Sequence, residues 1–155
     1  MEALQSVIAA HPFSEGMSTE HVALLAAEAR QVRFAAGHRI AEEGAEATHF
    51  YLILRGRVAV EAQMEKEDRL DVQAVEGGQA LGWSWLFPPF RWHFTARAVE
   101  PVEALEWDTS RLRETGVSHP TFGFEMARRI TSLLIRRLRA THERLVDCSG
   151  APDAS

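Results

Sequence analysis

Cysteine is nearly absent: Cys148 is the single one in 155 residues. That excludes an internal disulfide framework and any cysteine-based zinc or iron–sulfur centre. Long hydrophobic runs are missing too. Nowhere do 18 apolar residues follow one another, so no membrane-spanning helix is expected. The opening Met1-Glu2-Ala3-Leu4-Gln5 has no basic cluster and no apolar stretch, which argues against a signal peptide and for a reducing, cytoplasmic setting. No P-loop, Gly-x-Ser-x-Gly elbow or Gly-x-Gly-x-x-Gly is present. The seven histidines include no His-x-His pair, and the nearest pairing with a carboxylate, His38 with Glu42, straddles a turn. Neither a metal site nor an enzyme is expected.

Positive charge is scarce except at one end. Residues 1–120 hold 11 Lys and Arg against 18 Asp and Glu, whereas residues 121–155 hold 6 against 4. An acidic body lacks the basic patch that a broad nucleic-acid footprint needs. The cations Arg128, Arg129, Arg136, Arg137, Arg139 and Arg144 spread around a helix and have Glu125 and Glu143 as partners, which suits a solvated face.

The apolar residues that are present change period along the chain. Leu4, Val7 and Ile8 have helical spacing, and Pro12 and Gly16 end that run. Ser18 or Thr19 caps a second helix carrying Val22, Leu25, Ala26 and Ala29. From there the period is two. Short strands are predicted near 31–34, 39–41, 48–55, 57–62, 70–75, 80–82, 93–98 and 102–108, divided by glycine turns. In the 52–60 hairpin, Leu52 and Leu54 alternate with Val58 and Val60 so as to bury one face. Eight short strands predict a mainly β fold, an antiparallel jelly roll with short N-terminal helices and a long C-terminal helix. Thr109 or Ser110 caps a helix ending at Gly116, and Ser118-His119-Pro120 starts the long one. One domain over 1–148 is expected, with the roll at about 31–108, the helix at about 119–147, and a frayed tail at 149–155.

The long helix has two apolar stripes. Met126 and Leu133 suit packing on the roll. Ala127, Ile130, Leu134, Leu138, Thr141, Leu145 and Cys148 form a second line, which predicts a homodimer seam through Ile130, Leu134, Leu138 and Leu145. The role of Cys148 is left open.

The stretch Phe34-Ala35-Ala36-Gly37-His38-Arg39-Ile40-Ala41-Glu42-Glu43-Gly44, followed by Tyr51-Leu52-Ile53 and Gly56, closely resembles the opening of the cyclic-nucleotide-binding domain of the Crp/Fnr superfamily. Gly77-Gly78-Gln79-Ala80-Leu81-Gly82 and Phe94-Thr95-Ala96-Arg97-Ala98 resemble the edges of that family's phosphate-binding cassette, and the resemblance covers roughly residues 11–146. It implies a regulatory or signal-sensing domain. Its transcription factors add a helix-turn-helix after the long helix, but about ten residues follow Leu145, so no direct DNA reading is expected.

The resemblance breaks down inside the cassette. Cyclic-AMP binders of the family follow the cassette glycine with a Glu that holds the ribose hydroxyl, and place a phosphate-holding Arg some nine residues later. An ungapped match puts Trp83 and Trp92 there. Arg91 is one residue early and, on an alternating segment, faces the other way unless the Pro88-Pro89 loop shifts register. No acidic residue lies between Gly77 and Val99, so ordinary cyclic-AMP recognition is not expected.

Residues 83–94 hold six of the thirteen aromatics and three of the four Trp. Three readings stand. The rings fill the pocket themselves; or they line a site for a planar or small anionic, nucleotide-like ligand; or they form a docking patch for a protein partner. The second reading is the expectation, with Gly82, Trp83, Ser84, Trp85, Arg91, Trp92, His93 and Thr95 as ligand-binding residues and backbone amides after Gly82 favouring an anion. The alternative is a ligand-free dimeric scaffold plugged by Trp83, Trp85 and Trp92.

Overall fold

A computed structural model describes residues 2–63 and 69–150, apart from the side chains of residues 2, 63, 69–73, 141 and 144–150. Helix α1 (Glu2–Ala10), a 3-10 turn (Pro12–Ser14) and α2 (Thr19–Glu28) precede the strands. Ser18 caps α2 by accepting from the His21 amide at 3.2 Å. The strands are β1 (Arg30–Phe34), β2 (Arg39–Ala41), β3 (His49–Arg55), β4 (Arg57–Gln63), β5 (Arg69–Glu76), β6 (Ala80–Leu81), β7 (Thr95–Ala98) and β8 (Val102–Asp108). Helices α3 (Thr109–Ser118) and α4 (Pro120–Gly150) close the chain.

The strands form two antiparallel four-stranded sheets, in the orders β1-β8-β3-β6 and β2-β7-β4-β5, a jelly-roll-like sandwich. The turn at Gly56, with φ of 101°, joins β3 in one sheet to β4 in the other. A Cβ at Gly56 would collide with the Pro101 carbonyl, so a side chain is excluded there by both conformation and space.

Strand β3 is buried on both faces, not on one as the hairpin alternation suggested. Tyr51 and Ile53 face the sandwich interior with Val58, Val75 and Ala104. Phe50 and Leu52 meet Leu25, Trp107, Phe122 and Met126 under the helices. The reason is the helical layer laid across the first sheet. Within it, Trp107 donates Nε1–H to the Leu25 carbonyl at 2.8 Å, which satisfies a fully buried indole. His11 ties the N-terminal turn to β3. Its Nε2–H donates to the Ile53 carbonyl at 3.0 Å and its Nδ1 accepts from the Phe13 amide at 3.1 Å. Burial outweighs the carbonyl bond and lowers its pKa, keeping the ring neutral.

Two helix boundaries differ from expectation. Asp108, not Thr109 or Ser110, caps α3, its Oδ1 accepting from the amides of Ser110 and Arg111 at 2.9 and 3.2 Å. Gly116 does not end α3. It lies against Gly123 of α4, where a Cβ would come within 3.0 Å of the Gly116 Cα, so these glycines permit close helix crossing.

The dimer seam also needs correction. Ile130 is fully buried in the chain's own core beside Phe122 and Met126. Burying such a side chain contributes about 1.5–3 kcal/mol to folding, and none of its surface is left for a second chain. Replacing it by Thr131 turns the outer line into Phe124, Ala127, Thr131, Leu134 and Leu138, spaced three and four apart without drift. Phe124 and Leu138 are 71% and 70% exposed. The side chains of Leu145 and Cys148, and the tail from 151, lie outside the described residues. No helix of the described residues is long and apolar enough to cross a membrane.

The basic face is likewise not uniformly solvated. Arg129 makes a two-pronged bond to Glu125 Oε2 at 2.9 and 2.7 Å and donates to the Phe13 carbonyl at 2.7 Å. Arg137 turns inward and donates Nη2–H to the Ala80 carbonyl.

Candidate functional site

The segment between β6 and β7 starts at Gly82, with φ of 104°, runs through a 3-10 turn at Ser84–Leu86, and passes Pro88-Pro89. Its return limb is pinned to the loop before β3. The Trp92 amide donates to the Ala45 carbonyl at 2.8 Å, and the Gly44 amide donates to the Trp92 carbonyl at 2.9 Å. With Glu46 bridged to Arg91, this pairing fixes the alternation of the limb. Trp92 therefore packs against both core clusters, while Arg91 is sent outward.

Trp92 covers Gly82. A Cβ at Gly82 would sit 2.9 Å from the indole Cη2, closer than atoms in contact allow. Trp83 stacks on His93, ring centres 4.6 Å apart, and meets Phe87 edge-on. His93 Nδ1 and the buried Ser84 hydroxyl share a hydrogen bond of 3.0 Å. Gly82, Trp83, Ser84, Trp92 and His93 thus surround one cavity, of only about 20 Å³. That is room for a single water, set against roughly 300 Å³ for the smallest ordinary ligand pockets.

The other three expected site residues lie elsewhere. Trp85 is 2% exposed and packs on Phe50 in the core, because the 3-10 turn rotates it away from Trp83. Arg91 donates to the Gly44 carbonyl at 3.0 Å and lines a separate hollow with Asp108 and Arg113. Its guanidinium does not reach the cassette cavity, so a register shift that would bring it there is not what the chain adopts. Thr95 accepts from the Glu43 amide at 3.1 Å, beside a third hollow edged by Arg39, Glu42 and Glu61. Glu61, buried on the wall of that hollow, pairs with Arg97 at 2.6 Å.

One residue on the cavity wall was not anticipated. Arg137 comes from α4, some 45 residues after the cassette, and no local motif marks it. Burial, followed by the neighbouring charge of Arg136, lowers its pKa to about 10, so it stays cationic at neutral pH. No Asp or Glu is among the described residues lining the cavity. Nor do the described residues contain a cluster of three or more His, Cys, Asp and Glu able to hold a metal.

The model of the cyclic nucleotide-binding domain family matches residues 31–118. No curated protein matches the chain. Among solved structures, a cyclic nucleotide-binding domain from Methylobacillus flagellatus is 18% identical with a TM-score of 0.80, over 96% of this chain and 83% of that one. The N-terminal domain of a transcriptional regulator from Streptomyces coelicolor is 23% identical with a TM-score of 0.67, over 88% and 95%. The regulatory subunit of a cAMP-independent protein kinase A from Trypanosoma cruzi, bound to guanosine, is 21% identical with a TM-score of 0.64, over 70% and 38%. At these identities the likenesses establish the fold.

Proposed function

The chain belongs to the cyclic nucleotide-binding domain family, and from that premise we propose a non-enzymatic regulatory domain whose family pocket is occupied by its own side chains. The observation carrying this reading is the Trp92 indole on Gly82, with about 20 Å³ left around it. The family resemblance implies a ribose-binding Glu and a phosphate-binding Arg where Trp83 and Trp92 stand. The ring at each position removes a polar contact and takes up the space the nucleotide would need. Charge-assisted hydrogen bonds are worth about 1.5–3 kcal/mol each, or one to two decades of affinity. Of the three readings of the aromatic cassette, the geometry favours the self-filled pocket over a planar or anionic ligand bound among these rings. A relative described as cAMP-independent is consistent with a fold that does not entail cyclic-AMP binding.

The domain acts as a cytoplasmic homodimer through the outer face of α4, and its output is the disposition of that helix toward a protein partner. Phe124, Ala127, Thr131, Leu134 and Leu138 follow the three-four spacing of a two-helix seam, and Phe124 and Leu138, with Ile135 beside them, leave apolar surface exposed on α4 away from Met126 and Ile130.

Three of the four indoles lie between residues 83 and 92, so intrinsic tryptophan fluorescence reports directly on the cassette. Titration with a panel of cyclic nucleotides and small anions should leave the spectrum unchanged. A saturable shift with any cyclic nucleotide overturns the closed-pocket reading.

A further inference from the structure

A larger cleft lies on the other side of Arg137, between the Pro12–Ser14 turn, the end of β5 with the turn into β6, and α4. Its volume is about 370 Å³, within the range of small-molecule sites and far above that of the cassette cavity. Phe13, Val75 and Leu133 give it apolar walls continuous with the core. Arg136 and Arg137 are its charged residues, and no Asp or Glu is among the described residues lining it, in a chain of net charge −5. Arg137 is anchored by the Ala80 carbonyl at the back, and Arg136 stands exposed beside it.

We infer that this cleft binds a small amphipathic monoanion, a carboxylate carried on an apolar body. Two adjacent guanidiniums offer paired N–H donors that match the planar oxygens of a carboxylate. The anion also relieves the repulsion between the two cations, which contributes to the lowered pKa of Arg137. The apolar walls contribute by burying the ligand's hydrocarbon, which an inorganic anion lacks. Because walls of the cleft come from both the roll and α4, occupancy fixes how the helix sits on the roll. The cleft is separate from the cassette cavity, and its occupancy does not depend on a ligand there.

The test is calorimetric titration of the full chain with sodium octanoate, below its micellar range, with octylamine and inorganic phosphate as comparisons. Octanoate should bind one per chain, at least tenfold more tightly than either comparison. Arg136→Gln, at an exposed position, should weaken octanoate at least tenfold. Ala140→Trp, at the exposed rim, should fill the cleft and abolish binding while the circular dichroism spectrum is retained. Equal binding of octylamine or phosphate, no octanoate binding, or binding unchanged in both variants overturns the inference.

Discussion

Removing the Trp92 ring is the most informative perturbation of the cassette, because the ring joins the two core clusters and roofs Gly82. Truncating a fully buried Trp or Phe to Ala costs about 3–5 kcal/mol, the lost transfer energy plus the cavity left behind. Trp92 is only partly buried, so a cost of about 2–3 kcal/mol is expected for Trp92→Ala. For a chain of this length each kcal/mol shifts the melting midpoint by about 2–4 °C, which gives a fall of about 4–12 °C. Trp92→Phe keeps a ring over Gly82 and should lose less than half as much. Thermal denaturation followed by circular dichroism, at one fixed chain concentration because any self-association would add to apparent stability, provides the measurement. A Trp92→Ala midpoint within 1 °C of the parent would show that the ring does not fill the pocket, and the closed-cassette reading would fail with it.

If the outer face of α4 is the seam, the protein should sediment near 35 kDa, twice its 17.4 kDa chain mass, and Leu134→Glu with Leu138→Glu should give a soluble monomer. A monomeric parent at tens of micromolar would refute the seam. Glu125 joins α4 to His21 of α2 at 2.5 Å and to Arg129. Burial raises its pKa, but the hydrogen bonds of His21 and Arg129 and their charges outweigh that and hold it below 4.5. A depressed carboxyl stabilises the fold above its unfolded value and loses that contribution as the pH falls through the folded one. Glu125→Gln should therefore lose about 1–3 kcal/mol at neutral pH, and urea denaturation should show its deficit shrinking as the pH drops below 4.5. A deficit that does not change with pH would contradict the network.

Much of the roll was legible because its turns need glycine and its strands alternate. The eight strands fall within two residues of their predicted limits for that reason. Burial, in contrast, depends on what lies across from a residue. Ile130 and Thr131 both fit a three-four line on α4, and only the layer of Leu25, Phe50 and Trp107 beneath the helix sends Ile130 inward. Trp83 and Trp85 look equivalent two residues apart, but a 3-10 turn between them breaks the strand alternation that would keep them on one face. Alternation did hold at Arg91 and Trp92, where the backbone is paired with the loop before β3, so the outward Arg was readable. Arg137 carried no local signal, since its partner is a main-chain carbonyl 57 residues away in sequence.

Whether this member of the cyclic nucleotide-binding domain family binds a nucleotide is decided in the cassette. Trp83 and Trp92 stand in place of the two charged contacts that the resemblance implies, and the space around them has room for only one water. Calorimetric titration of the unmodified protein with cyclic AMP tests that claim most directly. No binding tighter than the high micromolar range is predicted; a sub-micromolar dissociation constant would contradict it.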